Sequence, residues 1–492
     1  MKRCFIPLTL LFLFNFRPVS GQEMLGMTLG NYAGVNSIQL NPSAIHNSKT
    51  YLDVQFLGAG LFLQNNYLYQ SKSDYKFVHF FQSGYEWPTH IEDYAYEVRI
   101  FYHYDNERDK NVYSSVRING PGAMLIWGNH AFALFTAARS VFSLHNVPFD
   151  VANFAYLGFD YWPQHNINYQ DNRPFSGAGM AWGEIGLTYS YKFFSGGYNQ
   201  FAAGISIRRL FGYAGLYVNS RQFDYVVIND STLNIRNMDA QMGFSLPVTY
   251  TDNSFQSDPL FRGGGFGFDV GITYQRLKRY HQKQTFTSLC GQRYEDYIYR
   301  IGIAVIDVGG IQFKTNAMKY NIDNRSSYWT NVNVINFRNI ANLMDTISYK
   351  FYGDSKAALV GEKFTLWLPS ALSIQFDYRI KENWYVNASL IYGFNFSRAS
   401  LSRPSELSIT PRYESKWFEA SLPVSLYDWY LARIGLALRF YNVTIGTEKL
   451  GGFFNLNDFT GLDFYCSIKL FFNKGSCRSE KVFPCGNLEF NH

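Results

Sequence analysis

The stretch Gly461 to Phe472, GLDFYCSIKLFF, puts Leu462, Phe464, Cys466, Ile468, Leu470 and Phe472 on one side of an extended chain. Asp463, Tyr465, Ser467, Lys469 and Phe471 fall on the other. Apolar residues alternating with charged ones at a period of two mark a strand between an oily surface and a wet one. A soluble sandwich alternates in the same way, so one strand decides nothing. The same pattern recurs up the chain, with aromatic residues crowded at the strand ends. Together these features read as a transmembrane antiparallel β-barrel that this last strand closes.

Working outward, the composition agrees. Aromatic residues are 19% of the chain against only 17% charged, and Tyr (38) and Phe (45) carry the excess, as interfacial girdles require. Mean hydropathy is −0.18, near neutral because a barrel hides its apolar face by alternation. Residues 1–21 read as a secretory leader: Lys2 and Arg3, an apolar run from Phe5 to Phe16, then Val19-Ser20-Gly21 before a cleavage expected at Gln22. The formal charge of +6 falls to about +3 without the leader, too little to indicate a nucleic-acid partner.

Residues 22–49 are short, polar and poor in apolar surface, and read as a plug-like segment tucked into the barrel mouth. Asn41, Pro42 and Ser43 form its central motif. The barrel is expected over 50–472, with about 14 strands, and a periplasmic tail over 473–492. Strand four sets Ile185, Leu187, Tyr189, Tyr191 and Phe193 outward against Glu184, Thr188, Ser190 and Lys192. Strand eight sets Leu372, Ile374, Phe376 and Tyr378 against Ser373, Gln375, Asp377 and Arg379. With both termini on the periplasmic side, links one, three, five and seven are the long external loops, and turns such as Gly128 to His130 and Ile380 to Asn383 are short. One turn on the short side, Arg276 to Asp296, is long and holds Cys290. A tandem of secreted sandwiches would explain the strands but not this alternation of links.

The inward face carries the candidate lumen residues Arg117, Glu184, Lys192, Arg208, Asp269, Arg300, Asp377, Arg379, Arg433 and Arg439, with Asp463 and Lys469. Isolated buried charge is costly, so these form either a salt-bridge lattice or a selectivity lining for a solute. Outside the leader, four cysteines allow three complete pairings, which sequence does not choose between. Cys477 and Cys485 flank a short loop and are the candidate disulfide, while Cys466 reads as a lipid-facing thiol. No catalytic elbow, metal motif or phosphate loop is present, so neither an enzyme nor a cofactor is expected.

Gly30-Asn31-Tyr32-Ala33-Gly34, Asn41-Pro42-Ser43, Gly120-Pro121-Gly122, Gly265 to Gly271 and Ile306-Asp307-Val308-Gly309-Gly310 together resemble a Bacteroidota outer-membrane barrel family of uncharacterised function. More distantly, Asn41-Pro42-Ser43 is similar to the Asn-Pro-Ala of long-chain fatty-acid transporter barrels, with Ser43 in place of Ala. That resemblance implies fourteen strands and an N-terminal plug; the transporters' ligand-binding residues are not matched. Two functions are expected from this reading. One is a plugged channel or binding barrel for a small hydrophobic or amphipathic solute in the outer-membrane lipid of a Gram-negative cell. The other is a non-enzymatic subunit of a secretion or envelope-assembly complex, with other envelope proteins as partners.

Overall fold

The computed structural model describes residues 23–477, apart from 77–78, 80–81, 83, 92–97, 171–172, 282–287 and 333–336. The leader and Cys485 lie outside the described residues.

The strands are β1 (Thr50–Asn65), β2 (Lys110–Trp127), β3 (His130–Val147), β4 (Phe175–Gly196), β5 (Asn199–Asn229), β6 (Thr232–Ser245), β7 (Gly263–Leu277) and β8 (Tyr297–Phe313). They continue as β9 (Ala317–Trp329), β10 (Ala371–Lys381), β11 (Trp384–Gly393), β12 (Glu406–Glu414), β13 (Phe418–Ser421 with Val424–Tyr427), β14 (Leu431–Ile434 with Leu436–Phe440), β15 (Val443–Thr447) and β16 (Gly461–Asn473). All of these except β6 and β9 form one closed antiparallel ring, fourteen strands in sequence order, in which β16 returns to β1. Closure removes the sheet edges that an open sheet would leave unpaired. Among the described residues no helix is long and apolar enough to cross a membrane.

Alternation is obeyed to the residue in β16. Asp463, Tyr465, Ser467 and Lys469 are buried, while Phe464, Ile468, Leu470 and Phe472 are exposed. Cys466 is a free, half-buried thiol on the outward side. Outward apolar residues recur round the ring, among them Ile185, Ile205, Val270, Ile303, Phe376, Ile409 and Ile445. A water-facing protein would not leave so continuous an apolar band exposed; it is the outer face of a membrane-spanning barrel. Toward the short turns, rings of Phe193, Phe201, Tyr274, Tyr299 and Phe376 follow one another across five strands, with centroids 6.0, 4.8, 6.0 and 6.2 Å apart.

Two of the expected external loops are largely structured. β5 continues past the ring: residues 199–212 pair with β7, and 215–229 pair with β6, which in turn pairs with β9. This three-stranded extension stands on the long-loop rim. The helix Ile340–Tyr352, capped by the Asn339 side chain, packs Met344 and Phe351 toward it. The pairing residues lie some 80 positions apart or are separated by turns, so a strand-by-strand reading saw only loops.

The cysteine pairing needs correction. Cys477 is bonded to Cys290, with Cα atoms 5.3 Å apart, and not to Cys485. The long turn between β7 and β8 folds across the short-turn rim to the end of β16, where the Gly475 amide donates to the Cys290 carbonyl at 2.8 Å. Three-dimensional proximity at the rim, invisible along the chain, brings these sulfurs together.

Candidate functional site

Residues 24–48 run along the inward faces of the strands. Leu25, Leu29 and Leu40 pack on Ala304, Ile306, Ala371 and Ile391. Val35, Ile38 and Ile45 pack on Met124, Ile126, Ala131 and Ala133. These clusters explain why apolar residues interrupt an otherwise polar inner wall. Asn41 caps a 3-10 turn whose first position is Pro42, its Oδ1 accepting from the Ser43 amide at 2.9 Å and from Ser43 Oγ at 2.7 Å. The motif presses on glycines of three successive strands: a Cβ on Gly204 would come within 2.6 Å of the Ser43 nitrogen, one on Gly271 within 2.2 Å of Asn41 Oδ1, and one on Gly302 within 2.8 Å of Asn41 Nδ2. Ser43 Oγ and Thr273 Oγ1 are 2.6 Å apart. The wall is hollowed where the segment touches it.

The inward charges are paired in clusters. In the first, Arg208 reaches Asp269 (2.5 Å), Asp307 (2.6 Å) and Glu184 (3.4 Å), and Arg117 reaches Glu184 (3.4 Å). Arg139 and Arg403 complete it, at 2.7 and 3.1 Å from Asp307, with Arg403 also 2.6 Å from Glu23. In the second, Arg412 lies between Asp377 (2.7 Å) and Glu414 (2.6 Å), while Asn31 donates to Glu414 from its backbone at 3.0 Å. Arg300 stacks over Tyr297 at 4.1 Å and borders a small void with Asp377. In the third, Arg433 meets Glu406 at 2.5 Å and Asp463 accepts the Glu448 amide. Arg439 pairs with Glu419 at 3.0 Å and Lys469 with Asp53 at 2.9 Å. Lys192 and Arg379 lie at the short-turn rim, held by Glu295 (3.4 Å) and Asp296 (2.8 Å).

Several members of these clusters escape a sequence reading: Arg139, Asp307, Arg403, Arg412 and Glu414. Asp307 shows why. Phe268 pairs with Val308 and Val270 with Val305, so Ile306 and Asp307 together face Asp269 across a bulge. Asp307 takes φ +57° there, and both residues point inward, which shifts the phase of the alternation. The only sequence signal was the departure from period two at Asp307-Val308-Gly309-Gly310.

Beside the first cluster the ring itself is loosened. β1 pairs with β2 at Gln55–Gly122 and next at Gly58–Asn119, leaving Phe56-Leu57 and Gly120-Pro121 unpaired between them. Pro121 has no amide to offer, and its carbonyl accepts instead from Thr136 Oγ1 at 3.1 Å.

The lumen is unevenly filled. Two voids against residues 24–48 measure about 30 Å³ each, room for a water or two. Under the long-loop rim lies a cavity of about 280 Å³. Tyr113, Tyr392, Phe394, Tyr427, Trp429 and Tyr430 line it, together with polar Asn111, His145, Asn395, Arg403 and Asp428. Its wall is drawn from the ends of β1, β2, β3 and β11, residues 402–405 and the turn that opens with Asp428-Trp429. That turn holds both residues at positive φ, +46° and +62°, an uncommon conformation for a bulky indole-bearing residue. Burial pushes the Asp428 carboxyl above its ordinary range, with His145 and the Asn111 side chain pulling it back. Among the described residues no cluster of three or more His, Cys, Asp or Glu side chains is placed to hold a metal ion.

Sequence comparison matches residues 42–448 to the family described as "Family of unknown function (DUF5723)". No curated protein matches in sequence. Among solved structures, the CymD monoaromatic hydrocarbon channel aligns at 11% identity over 94% of this chain and 100% of its own, TM-score 0.31. The Pseudomonas putida toluene transporter TodX aligns at 8% identity over 93% and 96%, TM-score 0.29. A Pseudomonas aeruginosa FadL homologue aligns at 9% identity over 93% and 99%, TM-score 0.22.

Proposed function

From a chain that belongs to the DUF5723 family of unknown function, we propose an outer-membrane barrel that binds a small amphipathic or hydrophobic solute in the 280 Å³ cavity beneath its external rim. The long loops face outward and the short turns the periplasm. Residues 24–48 act as the plug. The observation that carries this reading is the contrast in free volume. The cavity is nearly twice the roughly 150 Å³ that holds a benzene-sized guest, whereas the two voids against residues 24–48 admit only water. Six aromatic residues set among polar and charged ones give this wall both apolar surface and fixed polar groups to orient a small amphipathic molecule. Onward movement would need either the plug to shift or the loosened seam at Gly120-Pro121 to part, since paired charges fill the direct path. No chemistry is performed on the solute.

Proteoliposome uptake and ligand-binding titrations test this, comparing the full chain with a variant whose cavity is filled by Ser143→Trp. A solute that binds the full chain and is lost from the filled variant supports the reading. Identical null results for a broad panel of small amphipathic solutes would count against it.

One observation favours a second reading, a subunit of a secretion or envelope-assembly complex. The β5–β6–β9 extension and its helix are more surface than a solute barrel requires. Cross-linking in cells that never captures another envelope protein would weaken it.

A further inference from the structure

The solute cavity carries a charge signature of its own. Besides its tyrosines, three ionisable side chains line it: Arg403, His145 and Asp428. Arg403 is already committed. Its Nε and Nη2 donate to Glu23 at 2.9 and 2.6 Å, and its Nη1 donates to Asp307 at 3.1 Å. Asp428 differs: its carboxylate accepts one long bond, from Asn111 Nδ2 at 3.3 Å, and no cation among the described residues forms an ion pair with it. Next to it in the chain stand Trp429 and Tyr430, and Phe394 also lines the cavity. Aromatic faces carry negative potential, so the rings and the carboxylate favour the same sign of ligand.

We propose that this cavity takes a small organic cation, an amine or quaternary ammonium on an apolar body, with Asp428 as its counter-charge and Trp429, Tyr430 and Phe394 as its aromatic cage. The inference rests on the cavity being the solute site. An anion would have to displace Glu23 or Asp307 from Arg403 while facing the Asp428 carboxylate. A pure hydrocarbon would strip water from Asp428, Asn111 and Asn395 and return no hydrogen bond. A cation meets both the rings and the carboxylate, the arrangement by which quaternary ammonium groups are held elsewhere. The positive φ of Asp428 and Trp429 fits this use, because the tight turn presents carboxylate and indole together on the cavity wall.

The test uses the full chain purified in a non-ionic detergent, since choline-headed detergents carry the proposed group. Calorimetric titration compares benzyltrimethylammonium with benzyl alcohol and benzoate. The cation is expected to bind at least about tenfold tighter than either, and Asp428→Asn to erase that margin with Asp428→Glu restoring part of it. Trp429→Ala, which removes a half-exposed ring, is expected to weaken the cation several-fold and the alcohol less. Equal affinity for cation and alcohol, unchanged in Asp428→Asn, overturns the cation assignment and leaves the solute site standing. Binding of none of the three, in a protein that still binds another small solute, also overturns it. Loss of binding to every solute removes the site itself.

Discussion

The lumen has two halves that obey different rules. Against residues 24–48, apolar residues of that segment interlock with hollowed wall positions, and short ion pairs cross-link the charges of the neighbouring wall. Under the long-loop rim, rings line open space and one carboxylate has no ion-pair partner among the described residues, only the pull of nearby His145. The first half is packed as a protein interior is packed; the second is shaped as a receptacle. A barrel of this width cannot fill its bore with wall side chains alone. The chain therefore fills one half with its own N-terminal residues and leaves the other open.

Substitutions should separate the halves. The largest expected effect is that of Arg208→Ala, which abandons Asp269, Asp307 and Glu184 together. Removing one partner of a buried ion pair costs about 3–5 kcal/mol, and urea unfolding of the detergent-solubilised barrel should register it. Next comes Gly271→Leu, which drives a side chain into Asn41. Overpacking of this kind costs about 1–3 kcal/mol. Residues 24–48 should then become open to limited proteolysis while the strands stay protected.

A third effect is acid-dependent. Burial, with Lys192 and Lys474 nearby, depresses the His46 pKa to about 3. A histidine held neutral in the fold but titrating near 6.5 when unfolded contributes stability that is complete above pH 6.5 and lost as the pH falls toward 3. Between pH 7 and pH 5 the loss is about 2 kcal/mol. His46→Gln should flatten the unfolding profile over that interval, which lies above the ordinary carboxylate range. The smallest effect on stability belongs to the cavity. Trp429→Ala on the half-exposed rim should change unfolding by no more than about 0.5 kcal/mol, yet alter solute binding, and a large loss of stability would blur the distinction between the halves.

What the amino-acid order made legible follows from locality. Period-two alternation needs only neighbours, so β16 and the outward faces of β4 and β10 were readable directly, as were the short turns at Gly128 and Ile380. The charges at Glu184, Arg208 and Asp269 were readable as inward for the same reason. Their partners were not: the bulge at Asp307 shifts phase, and Arg403 lies outside any strand. The disulfide joins residues 187 positions apart. The cavity is assembled from six separated stretches, none of which carries a recognisable motif. Long-range closure decides such features, and one strand at a time does not contain it.

Thiol labelling tests the division of the lumen most directly. In a Cys466→Ala, Cys485→Ala background, His145→Cys places a thiol on the cavity wall, and Ser373→Cys places one on the buried inner wall, paired with Ala304 where residues 24–48 pack. A membrane-impermeant maleimide added to the external side should modify the first readily and leave the second unreacted until the barrel is unfolded. Equal labelling of both positions in the folded barrel would contradict the account.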